Sequence, residues 1–503
     1  MAETRRLLLV LGAMSVISAL MWMPTSEIPV ALPDIHDELG SSFTGLQWMV
    51  NAYTLAVAAL LVVMGQVGDL FGRRRLFIVG GFVFCAGAIV AATAQNTAWL
   101  ITGVAILGVG SAIAGPSSLA LIVDAFPTGR QGWAIGVWGA ASGIGSALGP
   151  LIGGGLTNAI DWRAIFWVNV PLVLGAVALA AYVCRESRAE DRGGVDTPGA
   201  LTFAAGLTAL ILALGQGGVW GWDSPAVLAL LAAAVVLCVS FVAIDLRSSS
   251  PLIPFREFGD RSFLISLGVL LIGNVTLAAV LFVLPLQLQN IDDRSALAAG
   301  VLLLPLTAMI FVLSPLSGIL TDRLGPRTPM VAGILAVAAG VFLLSTVDVG
   351  DGPGALVPGL VVTGIGFGLQ ITPENVAAIQ AVPELRRSTA SGILLTTGMV
   401  GATLGVATFA AAFGGIARGD LPDALSRAGV SVSASETETL DQVVTGSERS
   451  QKAVEGYSRA KAERIERAVD ESFVEALGDV FKVIAGLELV AALLALGLPR
   501  RRS

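Results

Sequence analysis

Charge is scarce in this 503-residue sequence: Asp, Glu, Lys and Arg make up 13% of it, where soluble domains carry about a quarter. A water-soluble chain so poor in charge could not cover its surface with polar groups, so the composition excludes a soluble globular class. The single histidine, His36, excludes His-based catalysis and a His-ligated metal. The three cysteines, Cys85, Cys184 and Cys238, lie in or beside apolar runs and suggest neither a disulfide framework nor a metal site. There is no nucleophile–base set. There is also no Gly-x-x-x-x-Gly-Lys-Ser/Thr phosphate loop, so ATP is not the direct energy source. The expectation is a chain that is not an enzyme, with no cofactor, no metal and no nucleic-acid partner. Lysine is rare too, three against twenty-seven arginines, which points to a high-GC bacterial genome.

Apolar residues are abundant: 55% of the chain, with a mean hydropathy of +0.81. Lipid is the solvent such a sequence needs. A bilayer core about 30 Å thick takes about 20 apolar residues per helix. Candidate spans fall at 8–33, 45–68, 75–94, 99–123, 131–157, 164–184, 198–216, 226–245, 263–287, 296–320, 327–347, 355–379, 388–413 and 477–498. Arg5 and Arg6 before the first apolar run resemble a signal peptide. The run passes Met23 with no small-x-small cleavage site after it, so it reads as a retained first span. With the N-terminus inside, alternate loops collect nineteen arginines on the cytoplasmic side (Arg5, Arg6, Arg73–Arg75, Arg130, Arg185, Arg188, Arg192, Arg247, Arg256, Arg261, Arg323, Arg327, Arg386, Arg387 and Arg500–Arg502). The short external loops hold two, Arg163 and Arg294. This asymmetry predicts fourteen spans, both termini cytoplasmic, in a bacterial inner membrane. Trp48, Trp99, Trp162, Trp220 and Trp222 fall near the outer interface, where amphipathic rings are favoured. Residues 414–473 are polar and external, ending in an amphipathic stretch from Ser447 to Glu475 that reads as a solvated helix resting on the outer face.

The sequence repeats itself. Gly65-x-x-x-Asp69-x-x-Gly72-x-Arg74 recurs as Gly318-x-x-x-Asp322-Arg323-x-Gly325-x-Arg327, offset by 253, and the loop pairs Pro127/Arg130 and Pro383/Arg386 recur at an offset of 256. Two six-helix halves therefore repeat in parallel, residues 1–190 and 247–503, with a two-helix insert at 191–246. Parallel repeats place a substrate cavity between the halves near mid-membrane.

In the GxxxDxxGxR loop, Gly72 permits a sharp turn, and Asp69 can meet a helix N-terminus or a nearby arginine. Such a cluster can form in one conformation and break in another, whereas a plain positive-inside anchor needs no carboxylate. In the fifth span, Gly145, Gly149, Gly153 and Gly154 with Pro150 line small residues along one face for close helix packing and a proline bend. Ionisable residues inside spans cost about 2.5–3.5 kcal/mol near the helix centre and mark pathways. Glu27 lies in MPTSEIPVALP; Pro24, Pro29 and Pro33 free carbonyls that need partners, so this stretch should face protein or water. A carboxylate buried there is the first candidate for coupling to a proton or recognising a cation. Glu374, in LQITPENVAA, is the second, with Pro373 suggesting a broken helix. Glu488 is the third, with no evident partner. Asn51, Tyr53, Asn274, Gln287 and Gln370 can line a cavity or bond neighbouring helices.

These motifs together resemble the major facilitator superfamily, and within it the fourteen-helix drug:proton antiporter branch. GQVGDLFGRRR is similar to the superfamily signature after the second helix, and GILTDRLGPR to its echo. GIGSALGPLIGGG is similar to the fifth-helix antiporter signature, and DWRAIFWVNVP to a stretch of the fourteen-helix branch. The resemblance implies an all-α polytopic fold of two six-helix bundles plus two inserted helices. It implies a cytoplasmic gate of Gly65, Asp69, Gly72, Arg73 and Arg74, with Asp322 and Arg323 in the second copy, in a monomer working in the bilayer. The implied function is export of small amphipathic compounds by proton (or other cation) antiport. Two positions depart from the pattern. Pro24 stands where the first helix commonly has an Asp, and Val104 where the fourth commonly has a buried Arg. They motivate a second reading, a facilitator or a lipid or metabolite exporter with altered coupling. A third reading is a non-transporting receptor or scaffold using 414–473.

Overall fold

In the computed structural model, which describes residues 2–187, 194, 196–255, 258–290, 296–348, 351–430 and 459–499, the regular structure is entirely helical. Among the described residues the α-helices are α1 (Ala2–Trp22), α2 (Pro24–Leu39), α3 (Phe43–Phe71), α4 (Arg73–Ala92), α5 (Thr97–Ala125), α6 (Gln131–Ala159), α7 (Ala164–Val183), α8 (Thr197–Trp220), α9 (Pro225–Asp245), α10 (Arg261–Asn290), α11 (Ala296–Leu324), α12 (Arg327–Leu344), α13 (Leu356–Gln380), α14 (Arg387–Arg427) and α15 (Arg459–Ala495). Among the described residues, thirteen helices are long and apolar enough to cross a membrane. The helix α15 falls outside that set because Asp479, Lys482 and Glu488 lie along its apolar part. Arg188, Arg192, Arg256, Arg294 and Arg500–Arg502 lie outside the described residues.

The repeat is visible in the packing. In the first half, α5 lies against α3 and α4; in the second, α13 lies against α11 and α12 in the same way. The halves meet chiefly through two crosswise pairs, α3 with α14 and α6 with α11, with α5 also against α14 and α6 against α13. The helices α8 and α9 pack on each other, and α8 also touches α3 and α14.

Three expectations about the helices need correction. The first span is two helices that break at Met23, where Pro24 opens α2. Proline is favoured at a helix start because its missing N–H would be unpaired there anyway. The broken helix expected at Pro373 does not occur; α13 runs unbroken through it. Pro373 cannot donate to the carbonyl four residues back, Leu369, and the Ser317 hydroxyl of α11 donates to it instead, at 2.7 Å. Among the described residues, the amphipathic stretch expected as a separate surface helix is, from Arg459 on, the start of α15. The 41 residues of α14 reach about 60 Å, roughly twice a bilayer core. Its end packs on the start of α15 through Leu421, Ala424, Leu425, Ile465, Ala468, Val469 and Phe473, so the described parts of the segment extend α14 and α15. Residues 431–458 of that segment lie outside the described residues.

Trp162 also differs from expectation. Its ring is buried, and its indole N–H donates to Glu38 at 2.7 Å, so it is not a lipid-facing anchor. Trp99, Trp220 and Trp222 are exposed, as an interfacial position requires.

Candidate functional site

The face that carries the arginine-rich loops holds two carboxylates, each seated on the N-terminus of a helix from the other half. The first turn of a helix has N–H groups with no intrahelical partner, and its dipole end favours negative charge. On α3, Asp69 Oδ1 accepts from the Ser388 N–H at 3.1 Å, and Oδ2 from the Thr389 N–H and hydroxyl, both at 2.8 Å. On α11, Asp322 Oδ1 accepts from the Gly132 N–H at 2.9 Å and Oδ2 from the Trp133 N–H at 3.1 Å. Both carboxylates therefore take the second and third N–H of a helix, α14 in one case and α6 in the other. The sequence offsets of 253 and 256 return here as donor and acceptor of one repeated contact.

Glycine makes the approach possible. A Cβ on Gly65 would lie 2.5 Å from the Ser388 carbonyl oxygen, and one on Gly318 would run into the Gly132 backbone. The helices cross with backbones touching at both clamps. Gly72 holds φ at +112°, a conformation that L side chains rarely adopt, and so ends α3 one residue before α4 begins.

The Asp69 clamp is reinforced. Arg73, one helical turn on and 3% exposed, donates to Asp69 at 2.7 Å, to Asp124 at 2.5 Å and to the Glu384 carbonyl at 2.6 Å. Arg387 from the second half meets the same Asp124 at 3.1 Å. Arg74 points elsewhere. It donates to the Ala181 carbonyl at the end of α7, within its own half. Sequence reasoning missed Asp124 and Arg387. The repeated Pro-x-x-Arg loops drew attention to Arg130 and Arg386, while the paired residues sit three before one proline and four after the other.

Glu27 sits deeper, on α2, and is 0% exposed. Its Oε1 accepts from Asn169 Nδ2 of α7 at 3.1 Å. The break at Met23 leaves the last carbonyls of α1 without intrahelical donors. Thr25 Oγ1 donates to the Trp22 carbonyl at 2.6 Å, and the Tyr53 hydroxyl to the Met21 carbonyl. Tyr53 also meets Ser111 of α5 at 2.9 Å. Asn51, two residues away, is half-buried. At the Pro24 break the freed carbonyls thus find protein partners, whereas Pro29 and Pro33 lie within α2 and are exposed.

The small-residue face of α6 packs against these same helices. Gly145 lies on the Ala19 backbone, Gly149 on Ser26, and Gly153 on Glu27, whose backbone a Cβ would approach to 3.0 Å. Gly154 faces Val30 more loosely, and α6 continues through Pro150, which is exposed. At Val104, where the resemblance leads one to expect arginine, the side chain is fully buried, and α5 carries no basic residue.

In the second half, Glu374 of α13 is 3% exposed and stands 3.5 Å from Gln370 Nε2. Glu488 of α15, fully buried, accepts from the Thr276 hydroxyl of α10 at 2.6 Å. The structure thus supplies Glu488 with a partner, on a helix more than two hundred residues away in sequence. Asn274 bonds its own helix at the Leu270 carbonyl, and Gln287 is buried. Among the described residues, no group of His, Cys, Asp and Glu could hold a metal ion.

Comparison with known proteins agrees with this architecture. The family model described as "Major Facilitator Superfamily" matches residues 10–406. The chain is 34% identical over 383 residues to "Multidrug resistance protein Stp" of Mycobacterium tuberculosis, covering 76% of this chain and 71% of the relative. It is 30% identical over 479 residues to "Tetracenomycin C resistance and export protein" of Streptomyces glaucescens, covering 94% and 88%. Among solved structures, the proton:xylose symporter XylE superposes with a TM-score of 0.61 over 99% of this chain and 97% of that one, at 14% identity, a likeness of fold. The chain is a multi-pass membrane protein and belongs to the major facilitator superfamily.

Proposed function

We propose that this protein is a secondary transporter that exports small amphipathic compounds in exchange for protons. It works as a monomer in the bacterial inner membrane, with its arginine-rich face and both termini in the cytoplasm. The twin clamp carries the reading. Asp69, seated on α14, and Asp322, seated on α6, hold the halves together on the arginine-rich face through contacts that a rocking motion can break and remake. In this reading the structure is closed to the cytoplasm, and residues 1–190 and 247–503 rock about the pathway while the 191–246 insert rides beside them. Gly65, Asp69, Gly72, Arg73, Asp322 and Arg323 form the inner gate, and Arg74 ties α4 to α7 beside it. The relatives' names, one a multidrug resistance protein and one a resistance and export protein, support the direction of transport and the class of cargo.

Glu27 is the coupling group. It is buried at the break between α1 and α2, is bonded by one amide, and packs where α6 presses its glycine face. A neutral, protonated Glu27 suits that dry environment, and a charged one calls for rearrangement. Glu374, Asn51 and Tyr53 line the pathway with it. Apolar Val104 favours a second reading, in which export proceeds with altered or no proton coupling.

One experiment separates the two. Ethidium efflux from proteoliposomes is measured under an imposed pH gradient, wild type beside Glu27→Gln. The proposal expects the mutant to lose gradient-driven efflux and keep exchange down an ethidium gradient. Equal efflux by both proteins, indifferent to pH, would replace it with the altered-coupling reading.

A further inference from the structure

We infer that Asn169 is the positioning residue that sets how tightly Glu27 holds its proton, an inference that rests on Glu27 being the coupling group. Both side chains are 0% exposed. Asn169 Nδ2 donates to Glu27 Oε1 at 3.1 Å and also to the Ile165 carbonyl one turn back on α7, at 2.8 Å. The second bond uses the other N–H of the same amide, so the amide is held with its nitrogen, not its oxygen, toward the carboxylate. Asn169 therefore offers Glu27 a fixed donor.

Among the described residues, no cation shares that task. The helices packed on α2 are α1, α3 and α6. Their titratable or charged groups are Glu3, Arg5 and Arg6 at the far end of α1, and Tyr53 and Asp69 on α3; α6 has none. On α7 itself the one titratable group is Tyr182, near the opposite end. On α2, Asp34, His36, Asp37 and Glu38 lie beyond Glu27 toward the outer loop, where Glu38 pairs with Arg163 at 2.8 Å. Tyr53 spends its hydroxyl on Met21 and Ser111. The stabilisation of the Glu27 carboxylate thus falls on one neutral amide.

The chemistry follows from which state that amide favours. A donor to a carboxylate stabilises the charged form. Glu27 Oε2 has no hydrogen-bond partner, so a proton binds there without displacing the Asn169 contact on Oε1. Protonation converts carboxylate plus proton to carboxylic acid, and release reverses it, with no other group changed. With the amide present the anion is accessible and the proton can leave. Without it, the buried anion loses its donor, and the proton is held until the medium is more alkaline.

The test reads Glu27 itself. Infrared difference spectra of the full-length protein in liposomes are recorded across pH for wild type, Asn169→Leu, Asn169→Gln and Glu27→Gln. The carboxylic C=O band that disappears in Glu27→Gln is assigned to Glu27. We expect its titration midpoint to rise by about one pH unit in Asn169→Leu, the scale of one hydrogen bond to a charged group. Asn169→Gln, which keeps an amide donor, should fall between. The pH profile of ethidium efflux should move with the band. An assigned band whose midpoint is the same in Asn169→Leu would overturn the inference and leave the coupling reading intact. If Glu27→Gln removes no titrating band, the coupling reading fails, and this inference with it.

Discussion

The two halves of the molecule close the same face with the same backbone contact but support it differently. In each, a carboxylate on one helix takes the second and third N–H of a helix from the other half. In each, a glycine four residues earlier lets the backbones touch. Four residues after Asp69 stands Arg73, buried and bonded to it; four residues after Asp322 stands Pro326, which caps α12. Asp69 is 1% exposed, whereas Asp322 is half-buried. The common element is thus the helix N-terminus and the close approach, which any duplicated half retains because backbone supplies the donors. Around Asp69, a buried network of Arg73, Asp124 and Arg387 reinforces the cap.

The largest effect should come from the feature that the halves share. Gly65→Val and Gly318→Val each force a branched side chain into a backbone crossing. Overpacking costs about 1–3 kcal/mol even where neighbours can shift, and here the neighbours are main chain. Each variant should cut ethidium efflux about tenfold or more, to similar extents. A harmless Gly318→Val would show that only the first crossing has to close.

The next comparison separates the clamps. Asp69→Asn removes a charge from a buried, paired site and leaves Arg73 undercompensated, a class of change that costs about 3–5 kcal/mol. Asp322→Asn weakens a helix-terminus interaction worth about 1 kcal/mol. Efflux should therefore fall much further in Asp69→Asn. Equal losses would mean that the arginine network contributes nothing beyond the helix cap. Arg387→Gln should matter least. It removes a partly screened pair with Asp124 worth at most about 1 kcal/mol, and a small rise in efflux KM is the readout.

Much of this was legible in the residues. Loop asymmetry and hydropathy give the spans, and the Gly–Asp spacing recurs because each copy must turn sharply and cap a helix. What sequence could not show is which helix each carboxylate caps, since Asp69 and Thr389 are more than three hundred positions apart. The same holds for Glu27 and Asn169, and for Glu488 and Thr276. Pro373 misled because the carbonyl that a proline orphans can find a tertiary partner, and Ser317 is one here. Trp162 misled because an indole at interface depth can equally face protein when a carboxylate such as Glu38 is there to accept from it. The amphipathic stretch reads from sequence as a solvated helix on the outer face because its apolar residues are spaced among charges, and their partners on α14 lie some forty residues away.

The most direct test of the twin clamp is a distance across the closed face. Spin labels are placed at Thr128→Cys and Leu385→Cys, both exposed and in opposite halves, with Cys85, Cys184 and Cys238 replaced by alanine. Double electron–electron resonance is recorded for this protein and for the same protein carrying Asp69→Asn, Asp322→Asn or both. The account predicts one short distance in the parent, a minor longer one with Asp322→Asn, a larger share of it with Asp69→Asn, and a predominantly long distribution in the double variant. A short distance that persists unchanged in the double variant would contradict it, because the face would then be closed by something other than the two carboxylates.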